Sequence, residues 1–300
     1  MSPNCLHLDI DGTWPLDVLP GLAVAHRRAW GPALRYCTTE RRIEDFYRQV
    51  RGELADFTLY GSGDFHHLTA VWLRRFQEPF TLVSFDNHPD WDIRPPHWGC
   101  GTWMNRALEL PQMQQAMVWG CANGELNWPG RMFARKSPRL AACPWAERTS
   151  PSSQRLWPAV KRANWREEFS AFAVRLATLA VYVTVDMDCL SEEESLTNWE
   201  NGKFTADDVA WAVRELRRHA RIIGGDVCGA WSPSRYHRLY QKVWAWVDHP
   251  KLKPVEPAAA LALNSRALHT IWPALTAGDE RDAGADQKQS DPQAPGRAFL

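Results

Sequence analysis

The order of hydrophobic and polar positions along the chain predicts strands that alternate with helices. Six short runs are rich in apolar and β-branched residues, as is typical of strands, and they cover residues 5–10, 57–60, 80–85, 117–119, 179–185 and 221–223. Longer stretches between them place apolar residues at helical spacing, at residues 43–54, 67–76, 103–108, 167–176 and 207–220. This alternation predicts a three-layer α/β/α sandwich with a mainly parallel central sheet.

The chain of 300 residues is long for one domain, but sheets covered by helices on both faces often reach this size. We therefore predict a single α/β domain over residues 1–275. The segment from 278 to 296 has almost no bulky apolar residue, so residues 276–300 are predicted to form a disordered tail. Residues 143–163 concentrate Pro, Ser, Arg and Trp, which indicates a long loop or insertion within the domain.

Composition and charge narrow the class of protein. Lys and Arg together number 35, as do Asp and Glu, so no net field favours a nucleic acid or an anionic membrane, and we expect a small-molecule substrate. The sequence has no apolar run long enough to span a bilayer and no signal peptide, which predicts a cytoplasmic protein. Its seven cysteines include no Cys-x-x-Cys pair, which argues against a disulfide framework or a thiolate zinc site. The oligomeric state stays open, a homo-oligomer included.

Side chains able to bind metal ions accumulate at the ends of three predicted strands. They lie in the segments Gly-Ser-Gly-Asp-Phe-His-His (61–67), Ser-Phe-Asp-Asn-His-Pro-Asp (84–90) and Thr-Val-Asp-Met-Asp (184–188). Alternate residues of an extended chain share a face, so Asp86, His88 and Asp90 are expected to point to one side, as are Asp186 and Asp188. Because the carboxyl ends of parallel strands lie along one edge of the sheet, the three segments could meet there.

Carboxylates gathered at one edge without cations would repel one another, whereas two divalent ions would neutralise them. A single Asp-x-Asp is weak evidence, because acidic residues also cap helices and occupy turns. Asp-x-His-x-Asp after an apolar strand is more specific, and the three segments together favour a metal site. Oxygen and imidazole donors without thiolate favour Mn²⁺, although Zn²⁺ and Fe²⁺ accept the same set. Two such ions could lower the pKa of a shared water and deliver hydroxide to a carbon centre near neutral pH.

These segments resemble the motifs of the arginase/ureohydrolase superfamily of metal-dependent C–N hydrolases, which run Gly-Gly-Asp-His, Asp-Ala-His-x-Asp and Asp-x-Asp-x-x-Asp-Pro. Their order is the same here, and 100 residues separate Asp86 from Asp186. The resemblance covers residues 57–233 and implies an arginase-like fold with a pair of metal ions. It also implies six ligands, with Asp86 and Asp186 bridging the ions: His66, Asp86, His88, Asp90, Asp186 and Asp188. His66 is preferred to His67 because His66-His67-Leu68 is similar to the family's His-x-Leu entry into a helix.

The chain departs from the family's pattern where the substrate would bind. The third aspartate of the last motif falls on Ser191, and the following proline falls on Glu192. Gly229 stands where arginase-like members carry the glutamate that holds a guanidinium group, so hydrolysis of arginine itself is not expected. Hydrolysis of another amide, guanidine or acetyl-amine bond, as in a deacetylase, stays open.

Other residues near these segments are candidates for catalysis or substrate contact. His97, in a Pro-rich loop, is a candidate proton shuttle, because the family gives this role to a histidine beyond Asp-x-His-x-Asp; a solvent-facing loop histidine is the plain alternative. Asp90 is a second catalytic candidate, in addition to being a predicted metal ligand. The substrate-binding candidates are Asn198, Trp199 and Asp226, although residues 197–202 could equally form an ordinary turn ending in Asn-Gly.

Two other functions remain open from the sequence. Residues 9–13, Asp-Ile-Asp-Gly-Thr, match the opening of haloacid-dehalogenase-type phosphatases, in which the first aspartate, here Asp9, attacks phosphorus and the second, Asp11, handles the leaving-group proton. This interpretation leaves residues 86–90 without a role and ranks second; in the arginase-like one, Asp9 and Asp11 could line the same crevice. The third possibility is a non-catalytic metal-binding protein, which the changes at Ser191 and Gly229 keep open.

Overall fold

A computed structural model describes residues 3–252 and 254–278 of the chain. Within these residues ten strands form, numbered in chain order: β1 (Cys5–Asp9), β2 (Ala23–His26), β3 (Cys37–Thr38), β4 (Phe57–Leu59), β5 (Phe80–Phe85), β6 (Trp98–Gly99), β7 (Met113–Trp119), β8 (Leu140–Cys143), β9 (Ala180–Asp186) and β10 (Arg221–Cys228). Eight of them make one sheet in the order β2-β1-β4-β10-β9-β5-β7-β8, in which every neighbouring pair is parallel. β3 and β6 form a small antiparallel ribbon. The predicted α/β class with a mainly parallel sheet is confirmed.

The helices of the described residues fall between the strands. They are α1 (Gly31–Leu34), α2 (Glu40–Val50), α3 (Thr69–Trp72), α4 (Met104–Ala107), α5 (Pro151–Gln154), α6 (Trp165–Val174), α7 (Ala206–His219), α8 (Leu239–Asp248) and α9 (Pro257–Thr276). The start of α7 was predicted from Thr205, whose side chain accepts a hydrogen bond from the Asp208 backbone N–H at 3.1 Å. Among these residues, no helix has both the length and the apolar character needed to cross a membrane.

Helices cover both faces of the sheet, which gives the predicted three layers. On one face, Phe169 of α6 and Leu268 of α9 belong to a core that also contains residues of α7 and β9. On the other face, Phe46 of α2 and Trp72 of α3 belong to a second core with residues of α4 and β5. β5 and β9 are buried along their whole length, because each lies inside the sheet and has helices on both sides.

The sequence predicted the centres of most elements but missed several ends. β10 continues to Cys228, well beyond the predicted end at residue 223. The prediction stopped there because Gly224 and Gly225 interrupt the apolar run. A Cβ on Gly224 would lie 2.6 Å from the Asp56 carbonyl oxygen, and one on Gly225 would lie 2.5 Å from that of Val183. These glycines therefore mark close packing within the strand, not its end.

Some elements escaped prediction altogether. β2 is an edge strand with largely exposed side chains, and β3 and β6 are two residues long each, so none shows a clear apolar pattern. α8 and α9 were not predicted, and α9 contains Pro273. Residues 143–163 begin with the end of β8 and contain α5, one 3-10 turn and a bridge between Trp145 and Val160, and the rest is irregular as expected. α9 ends at Thr276, the first residue of the predicted tail, and residues 279–300 of that tail lie outside the described residues.

Candidate metal centre

The three candidate metal-binding segments meet at the carboxyl edge of the sheet. β9 lies between β10 and β5, and β4 is the next strand beyond β10, so the segments that follow β4, β5 and β9 are neighbours. They bring the six predicted ligand side chains into one cluster, in which none is more than 8% exposed: His66, Asp86, His88, Asp90, Asp186 and Asp188. The sequence thus foresaw which side chains come together, and their role as ligands stays a prediction.

The first half of this cluster, which we call the His66 site, surrounds one imidazole nitrogen. His66 Nδ1 lies 3.1 Å from Asp86 Oδ2, 3.0 Å from Asp90 Oδ2 and 3.5 Å from Asp186 Oδ2. Each of these groups can donate an electron pair to a cation at neutral pH. One nitrogen therefore faces three carboxylate oxygens at close range.

The second half, which we call the His88 site, shares Asp86 with the first. His88 Nδ1 lies 2.8 Å from Asp188 Oδ2 and 3.7 Å from Asp86 Oδ1. The ligand atoms of Asp86, His88 and Asp188 all lie within 4.8 Å of one another. Asp86 thus offers one oxygen to each half of the cluster, which is the arrangement needed for a carboxylate that bridges two cations.

Turns, and not extended strands, bring these side chains together. The chain leaves β5 before Asp86, the backbone N–H of His88 donates to Asp86 Oδ1 at 2.7 Å, and Asp90 has a φ of 52°, in the left-handed region. Asp188 lies in a 3-10 turn, and its backbone N–H donates to Asp186 Oδ1 at 3.0 Å. These residues converge on one side as expected, but they do so through turns and not through an extended chain, because the carboxylates of Asp86 and Asp186 each accept a backbone N–H from two residues further on.

Hydrogen bonds behind His66 set the orientation of its ring. The Thr184 hydroxyl donates to Asp226 Oδ1 at 2.7 Å, so its oxygen accepts the His66 Nε2–H at 2.9 Å. Asp226 is fully buried and accepts from four hydroxyl groups, those of Tyr60, Thr69, Tyr182 and Thr184. Without a cation, the carboxylates of Asp86, Asp90 and Asp186 outweigh burial and raise the pKa of His66 well above its ordinary value. A cation in place of the Nδ1 proton would leave the remaining proton on Nε2, which is the tautomer that a metal ligand needs.

The polar atoms of the cluster have unmet bonding capacity. His66 Nδ1 and Asp86 Oδ2 are buried, and neither makes a hydrogen bond of good geometry. Buried polar atoms without a partner are uncommon in folded proteins. Four carboxyl groups with two imidazoles also form a donor set of oxygen and nitrogen that divalent cations accept. The residues present therefore fit a pair of divalent cations.

Burial and mutual repulsion disfavour the ionised form of three of the four carboxyl groups. Burial, followed by the charge of Asp86, raises the pKa of Asp90 well above its ordinary value. Burial and the charge of Asp188 do the same to the pKa of Asp186, and burial raises the pKa of Asp188 to about 6. Burial acts in the same direction on Asp86, but the nearby imidazoles of His66 and His88 outweigh it and hold its pKa below the usual range. Cations would remove the penalty on all four carboxylates.

His67, the alternative to His66, lies outside this cluster. Its side chain is fully buried, and neither ring nitrogen makes a hydrogen bond. Burial, followed by the charge of His66, lowers the pKa of His67 to about 3, so the ring is neutral near pH 7. The preference for His66 agrees with this placement.

Asp64 anchors the turn that presents His66. Its Oδ2 accepts from Arg35 Nε at 2.6 Å, while its Oδ1 lies 2.8 Å from His249 Nε2 and accepts from Trp199 Nε1 at 3.2 Å. Arg35 and Asp64 are both buried. Burial alone would raise the pKa of Asp64, but the charge of Arg35 outweighs it and holds this pKa well below its usual range.

The two N-terminal aspartates are engaged elsewhere. Asp9 accepts from Arg28 Nε at 2.8 Å and lies 3.3 Å from His26 Nδ1, near the edge of the sheet. Asp11 accepts from Ser232 Oγ at 2.7 Å. Neither lines the cavities next to the cluster, contrary to the expectation that both could. Because Asp9 is bound to an arginine, the structure does not favour the phosphatase alternative.

A cleft connects the cluster with the solvent. A cavity of about 400 Å³ opens beside a small space directly over the candidate ligands. Four residues line both spaces: Cys100, Gly101, Glu125 and Asp248. The wider cavity adds the ion pair of Asp92 with Arg94 and the apolar side chains of Trp244 and Val247. Its wall is therefore partly acidic and partly apolar.

Glu125 carries a carboxylate with unmet bonding capacity into this cleft. It lies in the 3-10 turn Gly124–Leu126 beyond β7, and its Oε2 is buried without a hydrogen bond. Burial raises its pKa to about 7, with the charges of Asp248 and Asp92 adding to this shift and His88 opposing it. Such a carboxylate would gain a partner if a hydrogen-bond donor or a cation entered the cleft.

Solved structures of known proteins share this architecture. The arginase of Bacillus subtilis aligns with a TM-score of 0.54 and 12% identity over 92% of this chain and 99% of that one. Proclavaminate amidino hydrolase from Streptomyces clavuligerus aligns with a TM-score of 0.54 and 13% identity over 92% of both chains. The chain has the arginase-like fold.

Sequence comparison adds one relative. An uncharacterised protein of Thermotoga maritima is 26% identical over 246 residues, which cover 80% of this chain and 86% of that protein. No family model matches the chain. The resemblance seen in the three motifs is thus confirmed at the level of the arginase-like fold.

Within the arginase-like fold, the remaining predicted site residues take different places. Trp199 lines the space over the ligands. Asn198 instead joins two loops, since its amide donates to the Ser232 carbonyl oxygen at 2.9 Å and accepts from the Ser232 N–H at 3.0 Å. Asp226 is enclosed behind His66 and does not reach the cleft. His97 is exposed and lines neither cavity, although Pro95 and Pro96 in the same loop line the wider one.

The glycine at the place of the family's glutamate is enforced by packing. Gly229 has a φ of 101°, and a Cβ there would lie 2.1 Å from Asp186 Oδ1. No side chain fits at this position of the present chain unless Asp186 and the backbone at Met187 move. The acidic groups of this cleft come instead from Glu125 and Asp248, which the sequence gave no reason to select because neither belongs to a recognised motif.

Proposed function

We propose that the chain is a hydrolase of C–N bonds that works with two divalent cations held by the buried cluster. The observation that carries this proposal is the position of Asp86, whose Oδ2 faces the His66 site and whose Oδ1 faces the His88 site. The fold also supports the proposal, because proteins of this architecture include an arginase and an amidino hydrolase.

The donor atoms assign each cation a set of residues. One ion would be held by His66, Asp86, Asp90 and Asp186, and the other by Asp86, His88 and Asp188. The resemblance to the arginase motifs further implies that Asp186 bridges to the second ion. Imidazole and carboxylate donors favour Mn²⁺ and also accept Zn²⁺ or Fe²⁺. When bound, such a pair lowers the pKa of a water and stabilises negative charge that develops on the substrate.

The protein's own groups position this machinery. Thr184 and Asp226 hold the His66 ring, and Trp103 Nε1 donates to Asp90 Oδ2 at 2.6 Å, which fixes that carboxylate. Trp199 covers one side of the cluster, with its ring centroid 5.3 Å from that of His88. These contacts restrict water and fix the direction from which a substrate can approach.

The cleft favours a substrate that carries positive charge or several N–H groups. Glu125, Asp248 and the ion pair of Asp92 with Arg94 line it, so the carboxylates outnumber the Arg94 guanidinium, and Glu125 Oε2 makes no hydrogen bond. Trp244 and Val247 add an apolar wall suited to a short hydrocarbon chain. The charged end would therefore be held by Glu125 and Asp248, because Gly229 has no side chain that could hold it as the glutamate of arginase-like members would.

Metal analysis tests the binding part of the proposal. After loading with Mn²⁺, we expect about two equivalents per chain, and loss of both when Asp86 and Asp186 are replaced together by asparagine. Asp17→Asn is the matched control, because Asp17 is exposed and should leave metal content unchanged. A double variant that retains its metal would reject the site.

Product release tests the hydrolase part. Loaded protein is incubated with agmatine, an N-acetylated diamine and a neutral amide, and urea, acetate and ammonia are measured. We expect turnover of at least one cationic compound, lost in the double variant and retained in Asp17→Asn. If fully loaded protein releases no product from any compound, the non-catalytic metal-binding alternative is favoured.

A further inference from the structure

A cysteine at the end of β10 lies beside the His66 site. Cys228 is the last residue of β10 and is the register partner of Asp186 on the neighbouring parallel strand β9. Its thiol is fully buried and lies 3.7 Å from Asp186 Oδ2. Ligand atoms of His66, Asp186 and Cys228 all lie within 4.8 Å of one another.

Backbone packing leaves Cys228 as the side chain that β10 brings to this place. The next residue, Gly229, admits no Cβ because that atom would lie 2.1 Å from Asp186 Oδ1. On the other side of the carboxylate, a Cβ on Gly63 would lie 2.8 Å from Asp186 Oδ2. Asp186 is thus enclosed by two glycines, and besides His66 Nδ1 the sulfur of Cys228 is a neighbour with an electron pair to offer.

The site also contains buried polar atoms that make no hydrogen bond of good geometry. The His66 side chain is 1% exposed, and its Nδ1 makes no hydrogen bond of good geometry. The other ring nitrogen, Nε2, is hydrogen-bonded to the Thr184 hydroxyl. Asp86 Oδ2, which faces it, is likewise without a hydrogen bond. These atoms point to a cation in the His66 site independently of the cysteine.

We propose that Cys228 is a sulfur ligand of the cation in the His66 site. This inference rests on the metal-binding part of the proposed function and refines it. On coordination the thiol proton passes to solvent and the thiolate donates its electron pair to the ion. The His66 site then prefers Zn²⁺, Fe²⁺ or Co²⁺ over Mn²⁺, whereas the His88 site, with oxygen and imidazole donors, accepts Mn²⁺.

Titration of the metal-free wild-type protein with Co²⁺ is the test. A thiolate bound to Co²⁺ gives an intense charge-transfer absorption in the near ultraviolet, which oxygen and nitrogen ligands do not give. We expect this band to saturate at about one equivalent and to be lost in Cys228→Ser. Zn²⁺ affinity in that variant should fall at least about tenfold, with a smaller change for Mn²⁺.

Two other buried cysteines serve as controls. Cys100 lines the space over the ligands, so Cys100→Ser tests whether a different thiol is responsible. Cys143 lies in the edge strand β8, with its sulfur 3.7 Å from that of Met117. Cys143→Ser therefore tests the effect of losing a buried thiol outside the His66 site. Both variants should keep the band. Loss of the band in Cys100→Ser, with retention in Cys228→Ser, would overturn the assignment.

The wild-type protein alone separates the remaining outcomes, even where a variant fails to fold. Bound Co²⁺ without a charge-transfer band would overturn the role of Cys228 and leave the binuclear hydrolase proposal standing. Failure to bind any Co²⁺, Mn²⁺ or Zn²⁺ would overturn both. X-ray absorption at the zinc edge gives a second readout, in which a Zn–S distance of about 2.3 Å supports the inference and its absence opposes it.

Discussion

At the scale of single residues, the position of Asp186 depends on two neighbouring glycines that have no side chain. Gly63 and Gly229 approach its carboxylate so closely that a Cβ on either would meet an oxygen, at 2.8 Å and 2.1 Å respectively. Gly229 also adopts a φ of 101° that residues with a side chain rarely take. The same packing that holds Asp186 therefore excludes the glutamate by which arginase-like members would hold a guanidinium.

Replacing Gly229 by alanine should displace Asp186. We expect cation affinity to fall at least about tenfold. The free energy of unfolding should fall by more than the backbone strain of a positive φ alone explains. Gly21→Ala is the matched control, since Gly21 has a φ of 83° with no atom within 4 Å and should cost only about 1–2 kcal/mol of backbone strain. Calorimetric metal titration and urea unfolding measure both effects. Equal behaviour of the two variants would contradict this account.

Asp188 gives the metal-free protein a defined pH dependence. Its pKa is raised from 3.8 to about 6, mainly by burial, so the folded state holds this proton more tightly than the unfolded state. Stability from the protonated form is therefore present below pH 4 and is lost as pH rises through 6. Asp188→Asn removes this loss, so the variant should gain stability relative to wild type between pH 4 and 7, by on the order of 1–3 kcal/mol.

Thermal unfolding in the presence of a chelator checks this dependence, with Asp17→Asn as the control for an exposed aspartate. Added Mn²⁺ should reverse the order, because the wild-type carboxylate binds the cation and the amide binds it less well. A constant difference in Tm between wild type and Asp188→Asn across this pH range would show that Asp188 does not titrate as described.

At the scale of secondary-structure elements, the sequence was informative where a pattern is local. β5 and β9 were predicted almost to the residue, because a run of apolar residues needs no knowledge of its neighbours. The segments after them were selected because several ligand-competent side chains fall within a few residues. Cys228, Glu125 and Asp248 could not be found this way, since their place beside the cluster depends on strand order, on the turn beyond β7 and on where α8 ends.

Arg35 links several of these elements through one buried charge. Its guanidinium donates to Asp64 in the turn before α3, and to the hydroxyls of Ser62 and Ser232, the latter beyond β10. Arg35→Met would leave the Asp64 carboxylate buried without its main counter-charge, so we expect a loss of about 3–5 kcal/mol in the free energy of unfolding. Urea denaturation measures this loss.

An exposed pair provides the contrast for Arg35. Arg221 and Glu78 are 52% and 45% exposed and form an ion pair at 2.6 Å, so Arg221→Met should cost less than about 1 kcal/mol. Adding Asp64→Asn to Arg35→Met should recover part of the loss by removing the unpaired charge. An Arg35→Met variant as stable as Arg221→Met would mean that the buried pair does not organise the turn that carries His66.

At the scale of the whole molecule, the arrangement of the sheet explains how distant segments reach one site. All eight strands of the large sheet run parallel, so the segments after β4, β5 and β9 emerge at the same edge although Asp86 and Asp186 are 100 residues apart. The sequence predicted this fold from alternation and from the resemblance of its motifs. It could not predict the cleft, whose acidic wall combines the turn beyond β7 with the end of α8.

The central claim is that one buried cluster holds two cations between Asp86, Asp186 and their neighbours. Anomalous scattering from crystals of the protein grown with Mn²⁺ tests it most directly. We predict two peaks, one within coordination distance of His66 and the other of His88, with Asp86 contacting both. A single peak elsewhere, or no peak among the six side chains at saturating Mn²⁺, would contradict the claim.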